Sequence, residues 1–146
     1  MATGDGAPRI SGGDPVTSPL YLGQSISKPI PSTALDVVPW AGSPTAVVRF
    51  ECAEFTSHCP VTGQPDFASL SIEYGPRSVL VETKSLKLYL WSYRTAHAFN
   101  EVIIDEIAAS LFRVLSPRFV EVRGHFHARG GISVHPTVRL GGNSDA

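Results

Sequence analysis

At 146 residues, with 42% hydrophobic and 17% charged residues, the chain has the length and composition of one globular domain with one core. Twelve Lys and Arg against 13 Asp and Glu leave a net charge of −1, which argues against a large polyanion such as tRNA or DNA as the ligand. The N-terminal stretch has no apolar run long enough for a signal peptide or membrane span, and two cysteines are too few for a disulfide framework, so a cytoplasmic protein is expected.

Residues 1–17, rich in Gly, Pro, Asp and Ser, are expected to form a mobile leader, followed by one domain over 18–142 and a polar tail over 143–146. From Pro19 to Pro44 apolar residues are broken by Pro29, Pro31 and Pro39, the pattern of a segment draped over the domain or a neighbouring subunit. Ala46 to Cys52 alternates as a strand, with Val48, Phe50 and Cys52 on one face. Thr56 to Asp66, with Pro60, Gly63 and Pro65, reads as a loop, and Ala68 to Tyr74 alternates again before the Gly75-Pro76 turn. Thr83 or Ser85 is placed to cap a helix running through Leu86, Leu88, Leu90 and Tyr93. Ile103, Ile107 and Leu111 recur at i+4, flanked by Ile104, Ala108 and Phe112, which predicts a helix over Asn100–Leu115 ended by Ser116-Pro117.

Arg118 to Ala128 alternates, with Val120, Val122 and Phe126 opposed to Glu121, Arg123, His125 and His127. After Gly130-Gly131 a last strand is expected to place Ile132, Val134, Val138 and Leu140 together. The order strand, strand, helix, helix, strand, strand predicts an α+β fold with a four-stranded antiparallel sheet, the helices inserted between strands two and three. Such a sheet leaves edges that a symmetric oligomer would seal.

Chemistry concentrates in four places. Glu54 to Ala68 sets Cys59 and Asp66 seven positions apart, with Gly63 and Pro65 able to fold the chain back; a thiolate nucleophile and a carboxyl that exchanges its proton would suit that spacing, and so would a buried cysteine beside a turn aspartate. Lys84 and Lys87, at i and i+3, can face one anion near a helix start, or simply solvent. Asn100-Glu101 opens the second helix, where Glu101 complements the macrodipole. Arg129-Gly130-Gly131 joins a cation to a flexible turn. Five histidines without a CxxC pair do not make a zinc motif, no metal is expected, and no GxGxxG or Walker loop is present.

Together these stretches resemble the NADPH-dependent 7-cyano-7-deazaguanine reductases, the nitrile reductases of queuosine synthesis, over about Leu20 to Gly142. The resemblance is close in the Glu54–Ala68 loop, in Glu82-Thr83-Lys84-Ser85-Leu86-Lys87-Leu88-Tyr89, which fits the pattern Glu-x-Lys-x-x-Lys-x-Tyr, and in Arg129-Gly130-Gly131-Ile132. It implies the short, single-module type and the tunnelling fold, in which subunit sheets join into a barrel, as a ten-subunit assembly of two rings. It further implies Cys59 as the nucleophile that forms a thioimide and Asp66 as the acid/base. Val81, Glu82, Thr83, Asn100 and Glu101 would contact the deazaguanine base, and Lys84, Lys87 and Arg129 would hold NADPH phosphates. The family usually has histidine where this chain has Asn100, which cannot shuttle a proton near neutral pH, and His97 is a candidate substitute.

Two other functions fit the same residues. A related amidinotransferase would add ammonia to the same thioimide, on a base within tRNA; the retained Lys84, Lys87 and Arg129 and the absence of net positive charge weigh against it, and Asn100 mildly for it. A deazaguanine binder with impaired turnover would not need both Cys59 and Asp66.

Overall fold

The computed structural model describes residues 35–142. The expected leader (1–17), the expected tail (143–146) and the first part of the expected domain (18–34) lie outside the described residues. Within them the chain forms β1 (Val37–Pro39), β2 (Val48–His58), β3 (Pro65–Tyr74), β4 (Val79–Val81), α1 (Thr83–Ser92), α2 (Asn100–Leu115), β5 (Phe119–Phe126) and β6 (Thr137–Gly141), with a 3-10 turn at Tyr93–Thr95. β2, β3, β5 and β6 make one antiparallel sheet in that order, and both helices are inserted between its second and third strands. The predicted α+β order thus holds for the four-stranded sheet and the two helices inserted in it. A second, two-stranded sheet pairs β1 with β4, Val37 opposite Val81. It was not predicted, because three-residue strands, one ending in Pro39, carry no periodic signal.

The core lies between one sheet face and the helices. β3 turns Ala68, Leu70, Ile72 and Tyr74 inward, β5 adds Val120, Val122 and Phe126, and α2 covers them with Ile103, Ile104, Ile107, Ala108, Leu111 and Leu115. α2 matches its predicted bounds and buries its predicted face. Phe99, at its N-cap, supplies no side-chain hydrogen bond. A missing cap costs about 1 kcal/mol, whereas burying Ile103, Ile107 and Leu111 contributes roughly 5–9 kcal/mol at about 1.5–3 kcal/mol each, so packing alone holds this end. The opposite sheet face is polar: Arg49 pairs with Glu73, and Glu121 with Arg123 and Arg139. One apolar and one polar face is the arrangement expected of an antiparallel sheet covered on one side.

Three expectations are corrected. The loop expected over Thr56–Asp66 is only Cys59–Gln64, because β2 continues to His58 and β3 begins at Pro65. The polar run Glu54 to His58 hides this extension, as does a bulge between Cys52 and Phe55: Cys52 faces Leu70 and Phe55 faces Ala68, so β2 carries one extra residue. α1 is capped neither by Thr83 nor by Ser85 but by Glu82, whose carboxylate accepts from the N–H groups of Lys84 and Ser85 at 2.8 Å each. Ile132 does not join Val134, Val138 and Leu140; it sits in a turn, 77% exposed. No helix among the described residues is long and apolar enough to cross a membrane.

Candidate active site

Past its bulge, β2 turns Phe55 and Ser57 toward the core and leaves Cys59 buried at its end, 8% exposed. The chain then reverses within six residues. Cys59 N–H donates to the Gln64 carbonyl at 2.9 Å, and Gly63 N–H donates to the Cys59 carbonyl at 3.0 Å. Gly63, at φ +69°, takes the left-handed conformation that closes this loop. β3 follows at once, and its second residue, Asp66, stands opposite Ser57 and is 4% exposed. The thiol and the carboxyl that the sequence sets seven positions apart thus meet at one end of the β2–β3 ladder.

The loop is wound around the sulfur. The Thr62 hydroxyl and the N–H groups of Thr62 and Val61 donate to Cys59, as does Arg129, and together they lower its pKa to about 6 against partial burial, which opposes ionisation. Thr62 is oriented for this: its Oγ1 accepts from Gln64 N–H at 3.3 Å, which leaves its own proton free for the sulfur. Arg129 Nε donates to Asp66 Oδ1 at 2.9 Å. Cys59, Thr62, Asp66 and Arg129 are therefore one hydrogen-bonded cluster. Two oxygens at its base, Asp66 Oδ2 and Ser57 Oγ, are buried with no partner, and a ligand or water commonly satisfies such atoms.

Asn100 and Glu101 reach the same neighbourhood by chain path. His58 N–H donates to the Ala96 carbonyl and Ala98 N–H donates to the His58 carbonyl, at 2.9 and 3.2 Å. Asn100 follows two residues later, within about 7 Å of chain. Asn100 Oδ1 is buried and unpaired, while Glu101 is exposed in the first turn of α2. His97 stacks on His58, ring centroids 5.0 Å apart, beside the cysteine.

The remaining predicted residues stand apart in their bonding. Val81 is buried, and its N–H donates to the Tyr74 hydroxyl. Both Glu82 oxygens are engaged by the α1 amides, of Lys84 first and Ser85 second, which hold its pKa below the usual carboxylate value. Thr83, Lys84 and Lys87 are exposed on the first turns of α1. No hydrogen bond or ion pair among the described residues ties Val81 to Lys87 into the Cys59 cluster. No group of three or more His, Cys, Asp or Glu gathers there as a metal site would require. Thr62 and Ser57 were not singled out from the sequence. The only signal for Thr62 was a hydroxyl residue three positions after the cysteine in a Gly/Pro loop, which is a turn pattern as much as a thiolate partner.

Comparison with known proteins gives the fold and the family. First, the fold is shared with the crystal structure of the archaeosine synthase QueF-Like in its apo form, at a TM-score of 0.64 and 24% identity, covering 70% of this chain and 99% of that one. The family model described as QueF-like protein matches residues 65–145, more than half of the chain, and the chain belongs to that family. Proteins named NADPH-dependent 7-cyano-7-deazaguanine reductase are similar to it: the Bacteroides fragilis one is 52% identical over 94 residues and the Streptococcus thermophilus one 53% over 94 residues. The matched stretch is 64% of this chain, 62% of the first relative and 58% of the second, so it spans less than two thirds of either.

Proposed function

We propose that the protein reduces the nitrile of 7-cyano-7-deazaguanine to the aminomethyl group of 7-aminomethyl-7-deazaguanine, with NADPH, in queuosine biosynthesis. The observation that carries this reading is the Cys59–Asp66–Arg129 cluster, a thiol with a pKa of about 6 beside a buried carboxyl, in a family whose relatives bear the reductase name. The Cys59 thiolate would add to the nitrile carbon while Asp66 gives a proton to the nitrogen, forming a thioimide. Covalent capture turns a poor hydride acceptor into a better one. NADPH, when bound, supplies hydride twice: once to the thioimide carbon, after which Cys59 leaves as thiolate and an imine remains, and once to the imine carbon. With one proton from solvent for each hydride, two NADPH are consumed per amine formed.

Asn100 and Glu101 would hold the base, aided by Val81, Glu82 and Thr83, since carboxylates and an amide oxygen accept from the N–H groups of a guanine-like edge. Lys84, Lys87 and Arg129 would hold the cofactor phosphates; all three are exposed cations, and the two lysines lie one turn apart on α1, a donor set that fits phosphate. β2 and β6 are the sheet edges, and we place them in a tunnelling-fold barrel formed by joining subunits, expected as a decamer in the cytoplasm. Such assembly would bring the exposed α1 residues of one subunit to a neighbour's nucleophile.

The test is NADPH oxidation by the full-length enzyme with the nitrile base. Wild type should consume two NADPH per amine formed, and Cys59→Ala should lose roughly 10³-fold or more of the rate. The Asn100 position favours one alternative, the amidinotransferase: no NADPH oxidation, with amidine appearing only when ammonia is added, would replace the reductase reading.

A further inference from the structure

We propose that Arg129, held by the Gly130-Gly131 turn, is the positioning residue that binds the Cys59 thiolate and fixes Asp66 against it. Its main chain is held by two hydrogen bonds across a tight turn. Arg129 N–H donates to the Ile132 carbonyl at 2.9 Å, and Ile132 N–H donates back at 3.1 Å. Between them Gly130 and Gly131 both take positive φ, +58° and +79°, the signature of a type I′ hairpin turn. A Cβ at either glycine would meet nothing within 4 Å. Space therefore does not reserve these positions for glycine; backbone conformation does. The approach to the turn is fixed as well, because His127 N–H donates to the Phe67 carbonyl at 2.9 Å, the residue after Asp66.

The side chain is then used twice. Nε holds Asp66 Oδ1 at 2.9 Å, and the guanidinium also donates to the Cys59 sulfur. One cation thereby joins the thiol to the carboxyl and fixes the distance between them. Asp66 is buried and Arg129 is 41% exposed, so the guanidinium forms the outer wall of the cluster and the carboxylate its floor. Among the described residues no other cation is bonded to Asp66. A planar fork can grip sulfur and carboxylate at once, which the point charge of a lysine does less well. This role is separate from contact with a cofactor, and it rests on Cys59 being the nucleophile whatever electrophile it meets.

The experiment reads the thiolate directly. Iodoacetamide alkylates ionised cysteine with loss of iodide, and peptide mass spectrometry separates Cys59 from Cys52, so the rate at Cys59 is followed from pH 4.5 to 9 in wild type, Arg129→Gln, Arg129→Lys and Gly131→Ala. Wild type should be half-maximal near pH 6. The Thr62 hydroxyl and the loop N–H groups remain in Arg129→Gln, so its midpoint should rise by about one unit, a loss of roughly tenfold in rate at low pH. Arg129→Lys should fall between the two, and Gly131→Ala should move the same way with every side-chain donor intact. Opening the wall can raise the plateau rate; the midpoint alone decides. A wild-type midpoint in Arg129→Gln overturns the proposal, with Arg129→Met as the substitute should the glutamine protein not fold. A wild-type midpoint in Gly131→Ala removes the turn from it. Alkylation needs neither NADPH nor nitrile, so a shifted midpoint in a protein without reductase activity would sink only the reductase reading.

Discussion

Two regions of this molecule carry predicted site residues, and they are built in opposite ways. At the end of the β2–β3 ladder, Cys59, Thr62, Asp66 and Arg129 are bonded to one another, with two buried oxygens left over. At the start of α1, Glu82 is spent on its own helix, and Lys84 and Lys87 are exposed with no side-chain hydrogen bond or ion pair to another described residue. The first region is finished within the chain. The second presents charge outward and would gain its purpose only from a ligand or another subunit. The proposed reactive and recognising residues thus lie in regions of different construction, and substitutions should separate them.

The largest effect is expected from Asp66→Asn. Loss of the proposed proton donor should lower turnover by about 10²–10⁴-fold while the far-ultraviolet circular dichroism stays that of the wild type; a loss below about tenfold would mean that another group supplies the proton. Next comes the charge reversal of Lys84 and Lys87 together. KM for NADPH should rise by roughly 10–100-fold, about tenfold for each lost phosphate contact of 1.4 kcal/mol, with kcat and the Cys59 alkylation profile little changed. An unchanged KM would remove the α1 lysines from cofactor binding. The smallest effect is expected from Glu82→Gln. Its carboxylate pKa is lowered by the α1 amides, so the cap contributes stability above the unfolded pKa, and the contribution disappears as pH falls through the folded value. The variant should therefore melt about 2–4 °C below wild type at pH 7, and the difference should shrink as pH falls through the lowered carboxylate pKa. A difference that persists in acid would show that charge is not what the cap supplies.

Legibility in the sequence followed the length of the periodic signal. α2 could be bounded at both ends because sixteen residues repeat a burial pattern and Ser116-Pro117 interrupts it. The four-stranded sheet was legible wherever alternation ran for seven residues or more, as in β3 and β5. β1 and β4 were too short to show it. Cys59 and Asp66 could be named as a pair because a turn-rich loop separates them, and resemblance then supplied the chemistry. What the sequence could not carry was the state of that pair. The pull of Thr62, the backbone amides and Arg129 on the sulfur depends on loop closure and on a turn seventy residues away. Nor could spacing show that Glu82, read as a contact to the base, closes the first turn of α1.

The bulge in β2 has a consequence for Cys59 itself. Cys52 and Cys59 are seven residues apart, an odd number, so a regular strand would send them to opposite sides of the sheet. The one surplus residue between Cys52 and Phe55 restores agreement: Cys52 packs against the core from its partly buried position, and Phe55, Ser57 and Cys59 are buried beyond it. The thiol is on the inner side because of a counting irregularity several residues upstream, at a place with no chemistry of its own. Deleting one residue there would set the two cysteines six apart and keep the sulfur on the inner side of a regular strand, whereas adding one would turn it to the other side.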